Sequence, residues 1–132
     1  MKLLTAAESR ELDRLSQEKY GIASYALMTN AGEAVANAVL AKYRARISEG
    51  ALVIAGKGNN GGDAMVAARK LRQEGVKIRV ILLAKTSTLK GDAARAHGDF
   101  VSAGGDVIEV ESEAALDDAT RDRAGIVIDG IF

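Results

Sequence analysis

The spacing of apolar residues changes at Gly50: before it they recur at helical intervals, and after it short, wholly apolar runs alternate with helical ones. Thr5, followed three residues on by Glu8, forms a capping box, and Leu12, Leu15 and Tyr20 carry an apolar stripe along a predicted helix of about residues 5–19 that Gly21 ends. From Ser24 a second helix is predicted to about Ile47. Its apolar positions are Leu27, Met28, Ala31, Val35, Ala38 and Val39, several of them small enough for close packing. The run ALVIAG at 51–56 stops at glycine and reads as a strand buried on both faces. The pattern then predicts a helix over about 62–74 closed by Gly75, a strand over 77–84, and a helix over about 89–103 closed by Gly104 and Gly105. A strand over 106–110, a short helix from Ser112 to about Arg123 and a fourth strand over 125–129 complete it.

This alternation predicts an α/β fold: a three-layer α/β/α, Rossmann-like, mostly parallel sheet preceded by two N-terminal helices. No linker, repeat or low-complexity stretch divides the chain, so residues 1–132 read as one domain. The chain stops three residues after the fourth strand, so the outer edge of that strand is expected to be open. Homodimerisation or self-association through residues 125–130 is the corresponding expectation.

Composition narrows the function classes. With 18 Lys+Arg against 18 Asp+Glu, the chain lacks the basic excess that favours nucleic acid. It has no cysteine, which excludes disulfide and thiolate chemistry. The N-terminus turns charged too early for a secretory signal, and no window approaches 18 uninterrupted apolar residues, so no membrane partner and a cytoplasmic setting are expected.

Candidate chemistry concentrates in GKGNNGGDA, residues 56–64, at the junction of the first strand with the helix after it. Gly56, Gly58 and Gly61 satisfy G-x-G-x-x-G in a strand-to-helix setting, where backbone N–H groups face ligands. The second strand ends Leu83, Ala84, Lys85, without the carboxylate that dehydrogenase-type sites set on the ribose. Gly62-Asp63 stands where a P-loop has Lys-Ser/Thr. The stretch therefore reads either as a tight Asn-Gly turn capped by Asp63 or as a ligand loop, for which the paired amides of Asn59 and Asn60 argue. Asp129 ends the fourth strand on the same carboxyl edge. It reads as a turn cap, as a cation ligand together with Asn60, or as a proton-transfer group. His97 lacks a second ligand at metal spacing, while Arg69, Lys70 and Arg72, like Asp117, Asp118, Arg121 and Asp122, read as solvated charge. Lys57 is placed to meet a phosphate.

On these residues the sequence resembles the YjeF N-terminal domain family, the NAD(P)H-hydrate epimerases. LTAAESRELDR with YGI, LMTNAGEAVANAVL, GKGNNGGD with VAARKL, LKGDAARAH and VIDGIF follow in the family's order. The resemblance implies a Rossmann-like, frequently dimeric domain that interconverts the two C6 epimers of hydrated NADH and NADPH, called NAD(P)HX, in nicotinamide-nucleotide repair. It implies that Asn59, Asn60, Gly61, Gly62 and Asp63 line the substrate and that Asn60 and Asp129 hold a potassium ion. Ala64 stands where the family usually has glycine. The family pattern also continues with a glycine-rich turn and an Asp-Ile-Pro-Ser-Gly-like segment, so the resemblance places the acid/base aspartate beyond Phe132 and leaves the catalytic residue of this chain unassigned. The alternative is a non-catalytic nucleotide-binding or dimerisation scaffold on the same fold.

Overall fold

The first helix begins at the predicted capping box. In a computed structural model, which describes residues 3–132, helix α1 (Ala6–Tyr20) starts with Thr5 Oγ1 accepting from the Glu8 N–H at 3.2 Å while Glu8 Oε2 accepts from the Thr5 N–H at 2.8 Å. Gly21 closes it at φ +66°, a left-handed cap that suits glycine. No residue of α1 is buried, and Leu12 remains 50% exposed. The apolar stripe is present, but the fold leaves it facing outward.

The predicted second helix is two. Helix α2 (Ser24–Lys42) stops at Tyr43 (φ −123°, ψ 26°), and a single turn, α3 (Arg44–Ile47), follows. The break turns Ile47 into the core beside Val39 and Ala51. Met28, Gly32, Ala36 and Val39 form the buried face of α2. A Cβ on Gly32 would lie 2.5 Å from both Asp63 O and Val66 Cβ, so only glycine lets α2 approach the central helix this closely.

The remaining elements are β1 (Ala51–Ala55), α4 (Asn59–Gln73), β2 (Ile78–Leu82), α5 (Gly91–Ser102), β3 (Val107–Glu109), α6 (Glu113–Ala119) and β4 (Ile126–Gly130). All strand pairs are parallel in the order β3-β2-β1-β4. Ala51, Val53, Ala55, Val80 and Leu82 pack under α2, α4 and α5. Leu52, Ile54, Ile81 and Val110 pack on the other face against Leu116 and Ala119 of α6. The three layers are therefore unequal, with two tiers of helix on one side and one short helix on the other. Connections from β1 run to β2 on one side, whereas β4 lies on β1's other side. The order thus reverses between β1 and β4, and that switch point is where open α/β sheets bind ligands.

Candidate functional site

Gly56 continues β1, its N–H donating to Gly130 O at 3.0 Å, so the two strand ends at the switch point are locked together. The glycine stretch then departs from the predicted loop. Helix α4 begins at Asn59, three residues before the expected start, so Asn59, Asn60, Gly61 and Gly62 form its first turn. Close packing overrides the loop propensity of Asn-Gly here. A Cβ on Gly61 would stand 1.9 Å from Gly56 O, and one on Gly62 would stand 2.4 Å from Met28 Cε. Both glycines let the helix start seat against the strand end and under α2. Gly58 caps the helix without a side-chain acceptor, and Gly62 N donates to Gly58 O at 3.1 Å. The N–H groups of Asn59, Asn60 and Gly61 therefore point free toward the carboxyl edge.

Asp63 is not the cap of a turn but the fifth helical residue, half-buried on the side of α2. Burial, and secondly the negative charge of Asp13 on α1, push its carboxyl up to about 6 from 3.8. Because the folded value is raised, the folded chain binds more protons than the unfolded one between those limits, and stability falls as pH rises through that window. Asp63→Asn should therefore melt with wild type near pH 4 and above it near pH 8, by about 1 kcal/mol after discounting for partial exposure. Melting curves across that range check this, and a gap independent of pH would count against it.

Asp129 pairs in register with Ile54, and its Oδ1 accepts from the Ile131 N–H at 2.9 Å, so the turn-cap reading of this residue holds in part. Ile128 and Gly130 face α4, leaving Val127 and Asp129 on the opposite, exposed face. Asn60 sits one residue inside the helix start, and a Cβ on Gly130 would come within 2.8 Å of its carbonyl oxygen. The fold thus brings Asn60 and Asp129, 69 positions apart in the chain, to one edge of the switch point. Ala64 is buried, and its methyl fills the place a Cβ on Gly130 would take, at 2.5 Å. Glycine at 130 accommodates the alanine.

A carboxylate oxygen and amide oxygens are the donor types that a weakly charged hard cation takes. Asp129 has no cationic partner among the described residues, so its charge is uncompensated, and Asn60 adds neutral oxygens. Among the described residues no group of three or more His, Cys, Asp or Glu is arranged to hold a metal.

Beside the helix start an open cleft is lined by Lys57, Gly58, Ser87, Thr88 and Lys90. Of these, sequence pattern singled out Lys57 and Gly58. The others follow β2, and only the adjacency of β1 and β2 brings them to the same wall. A smaller cavity of about 140 Å³ lies at the opposite pole, at the amino ends of the strands. His97 lies on α5, half-buried and outside that wall. Arg69 and Arg72 do more than face solvent. Arg69 pairs with Asp99 at 3.9 Å and Arg72 donates to Ala103 O at 3.3 Å, tying α4 to α5. Asp117, Asp118, Arg121 and Asp122 are exposed, as expected.

Comparison with known proteins gives a consistent picture. A family model described as YjeF-related protein N-terminus matches residues 24–132. The Bifunctional NAD(P)H-hydrate repair enzyme Nnr of Moorella thermoacetica is 37% identical over 135 residues, covering 100% of this chain and 26% of that protein. The NAD(P)H-hydrate epimerase of Rhodopirellula baltica is 34% identical over 98% of this chain and 51% of that protein. The crystal structure of the yeast protein ynu0 superposes with a TM-score of 0.83 at 27% identity, over 100% of this chain and 57% of that one. The chain thus spans about half the length of the Rhodopirellula baltica relative and about a quarter of the Moorella thermoacetica one.

Proposed function

The chain belongs to the family of YjeF-related protein N-termini, and from that premise we propose that it binds hydrated NADH or NADPH and interconverts their epimers. The observation that carries this reading is the placement of Asn59 to Asp63 and Asp129 at the switch point between β1 and β4. Relatives that carry the names NAD(P)H-hydrate epimerase and NAD(P)H-hydrate repair enzyme support it.

The chemistry asks little of the protein. The hydroxyl at C6 is adjacent to the ring nitrogen, so protonated hydroxyl departs as water with the nitrogen lone pair closing a C=N bond. Water then adds to the opposite face and loses a proton, and nothing is consumed. The site must hold the ring, admit one water to either face and move a proton out and back. Asn59 and Asn60 offer amide donors and acceptors to the carboxamide and hydroxyl, and the free N–H groups of the helix start hold negative oxygen.

Asn60 and Asp129 are the residues that would hold potassium. The ion would supply a positive charge offsetting Asp129 and tie the helix start to the end of β4. In this reading the protein works in the cytoplasm, and among the described residues no helix is long and apolar enough to cross a membrane.

The test is direct: incubate the protein with separated epimers of hydrated NADH and follow their interconversion by chromatography against the spontaneous rate. Acceleration is expected. No acceleration by folded protein would overturn the catalytic reading and favour a binding or scaffold role. The same proposal has copies of the chain associate through the outer edge of β4, which is unpaired among the described residues and where Val127 is 56% exposed. Sedimentation should show a concentration-dependent dimer, and a monomer at all concentrations would overturn that placement.

A further inference from the structure

The cleft beside the helix start carries a chemistry that epimerisation at the ring does not require. Its lining residues are Lys57, Gly58, Ser87, Thr88 and Lys90, none of them acidic. Among the described residues neither Lys57 nor Lys90 forms an ion pair, whereas neighbouring Lys85 is engaged by Glu111 at 3.8 Å. The nearby Glu109 carboxylate is held by the Thr86 N–H at 2.8 Å, which keeps it on the β3 side. Thr88 donates to Lys85 O at 2.7 Å, fixing the single turn Thr86–Thr88 that presents Ser87. A Cβ on Gly58 would meet nothing within 4 Å, so the main chain there lies open to a ligand.

Two lysines sharing one cleft without a counter-charge repel each other, and an anion placed between them removes that repulsion. Ser87 adds a hydroxyl donor, a set that matches phosphate oxygens. Helix α4 starts beside this cleft without a side-chain cap and with no acidic residue in its first turn, which adds partial charge of the same sign. The location has chemical meaning as well. Dehydrogenase-type sites set a carboxylate on the ribose hydroxyls at the end of the second strand, and that carboxylate would repel a phosphate. Here Lys85 to Lys90 occupy the position instead.

We propose that this cleft binds a phosphate group of the dinucleotide, with Lys57 and Lys90 as its charged contacts and Ser87 as its hydroxyl donor. The inference rests on the reading of the substrate as hydrated NADH or NADPH, which supplies two sources of phosphate: the pyrophosphate in both and the 2′-phosphate in the second. Lys57 and Lys90 then contribute to substrate affinity, and if the 2′-phosphate is the occupant they set the preference between the two dinucleotides.

The experiment titrates the full chain calorimetrically with ADP-ribose and with 2′-phospho-ADP-ribose, comparing wild type with a Lys57→Gln, Lys90→Gln double variant. The KM for each hydrated dinucleotide is measured in parallel. Both lysines are exposed, so the variant should fold, and circular dichroism verifies it. Loss of two charge-assisted contacts should weaken the 2′-phosphorylated ligand by about tenfold or more and flatten the salt dependence of its binding. An equal loss for both ligands supports the proposal and assigns the cleft to the pyrophosphate. A loss confined to the 2′-phosphorylated ligand supports it and assigns the cleft to the 2′-phosphate. Undiminished binding of both ligands by the folded variant overturns the phosphate site, while the epimerase reading stands if wild type still accelerates interconversion. Lysine-dependent binding without any acceleration keeps the phosphate site and overturns the epimerase reading. A wild-type chain that binds neither ligand overturns the proposal.

Discussion

Replacing Gly61 by alanine is expected to cost the protein its stable fold, although in an ordinary helix the same change stabilises. Alanine gains about 1 kcal/mol over glycine in a helix interior through lower backbone entropy loss. At position 61 the new methyl would stand 1.9 Å from Gly56 O and 2.8 Å from Gly56 C. Both atoms belong to the backbone that continues β1 and pairs with Gly130, so relief requires the helix to lift off the sheet or β4 to separate from β1. Such overpacking against main chain outweighs the helix gain, with a net loss of about 3 kcal/mol or more and a melting temperature lower by about 10 °C or more. Gly62→Ala is the control. Its methyl meets the Cε and Sδ of Met28 at 2.4 and 2.6 Å, the flexible tip of a long side chain, and Ala93 Cα only at 3.3 Å. Rotation of Met28 offsets most of the clash, so this variant should stay within about 1 kcal/mol of wild type. Thermal and urea denaturation of the two variants side by side decides the matter. A Gly61→Ala protein as stable as Gly62→Ala would show that the helix start is not seated on Gly56.

Asp129→Asn should leave the fold intact and remove the response to potassium. Asp129 is exposed, and its described hydrogen bond, accepted from the Ile131 N–H, is one that an asparagine oxygen also accepts. What the substitution deletes is the negative charge that has no cationic partner among the described residues. If that charge and Asn60 hold a monovalent ion, epimerisation should drop by about 10- to 100-fold and become insensitive to added potassium. Asn60→Ala should repeat the phenotype while Asp129→Asn and wild type melt at the same temperature. Rates measured from potassium-free buffer to saturation give the result. An Asp129→Asn protein with wild-type potassium activation would dismiss the cation site and leave the residue as a turn cap.

How much of this was legible in the chain varies with the range of the physics. The strands at ALVIAG and GIVID and the helices between them follow from periodicity and glycine punctuation, which act over a few residues. The capping box at Thr5 was legible for the same reason. Tyr43 was not. A helix broken for one residue keeps its apolar period, and the break is driven by where Ile47 must go. The glycine stretch lies between strand and helix, where its position predicts it, but its composition predicts a loop, because Asn and Gly are weak helix formers and the backbone of Gly56, which makes glycine necessary, is not a local neighbour.

Asn60 and Asp129 were legible as candidates because both stand at the carboxyl edge of apolar strands, but the chemistry of Asp63 was not. Its raised pKa comes from burial beside α2 and from Asp13 on α1, an encounter of three helices. Local spacing encodes the types of the elements, the parallel sheet and the presence of an oxygen-rich glycine segment at a strand end. That β4 lies beside β1, that Leu12 faces outward and that Lys57 shares a wall with Lys90 emerge only from long-range packing. Those outcomes depend on which elements bury surface against one another, and that free energy belongs to contacts between residues far apart in the chain.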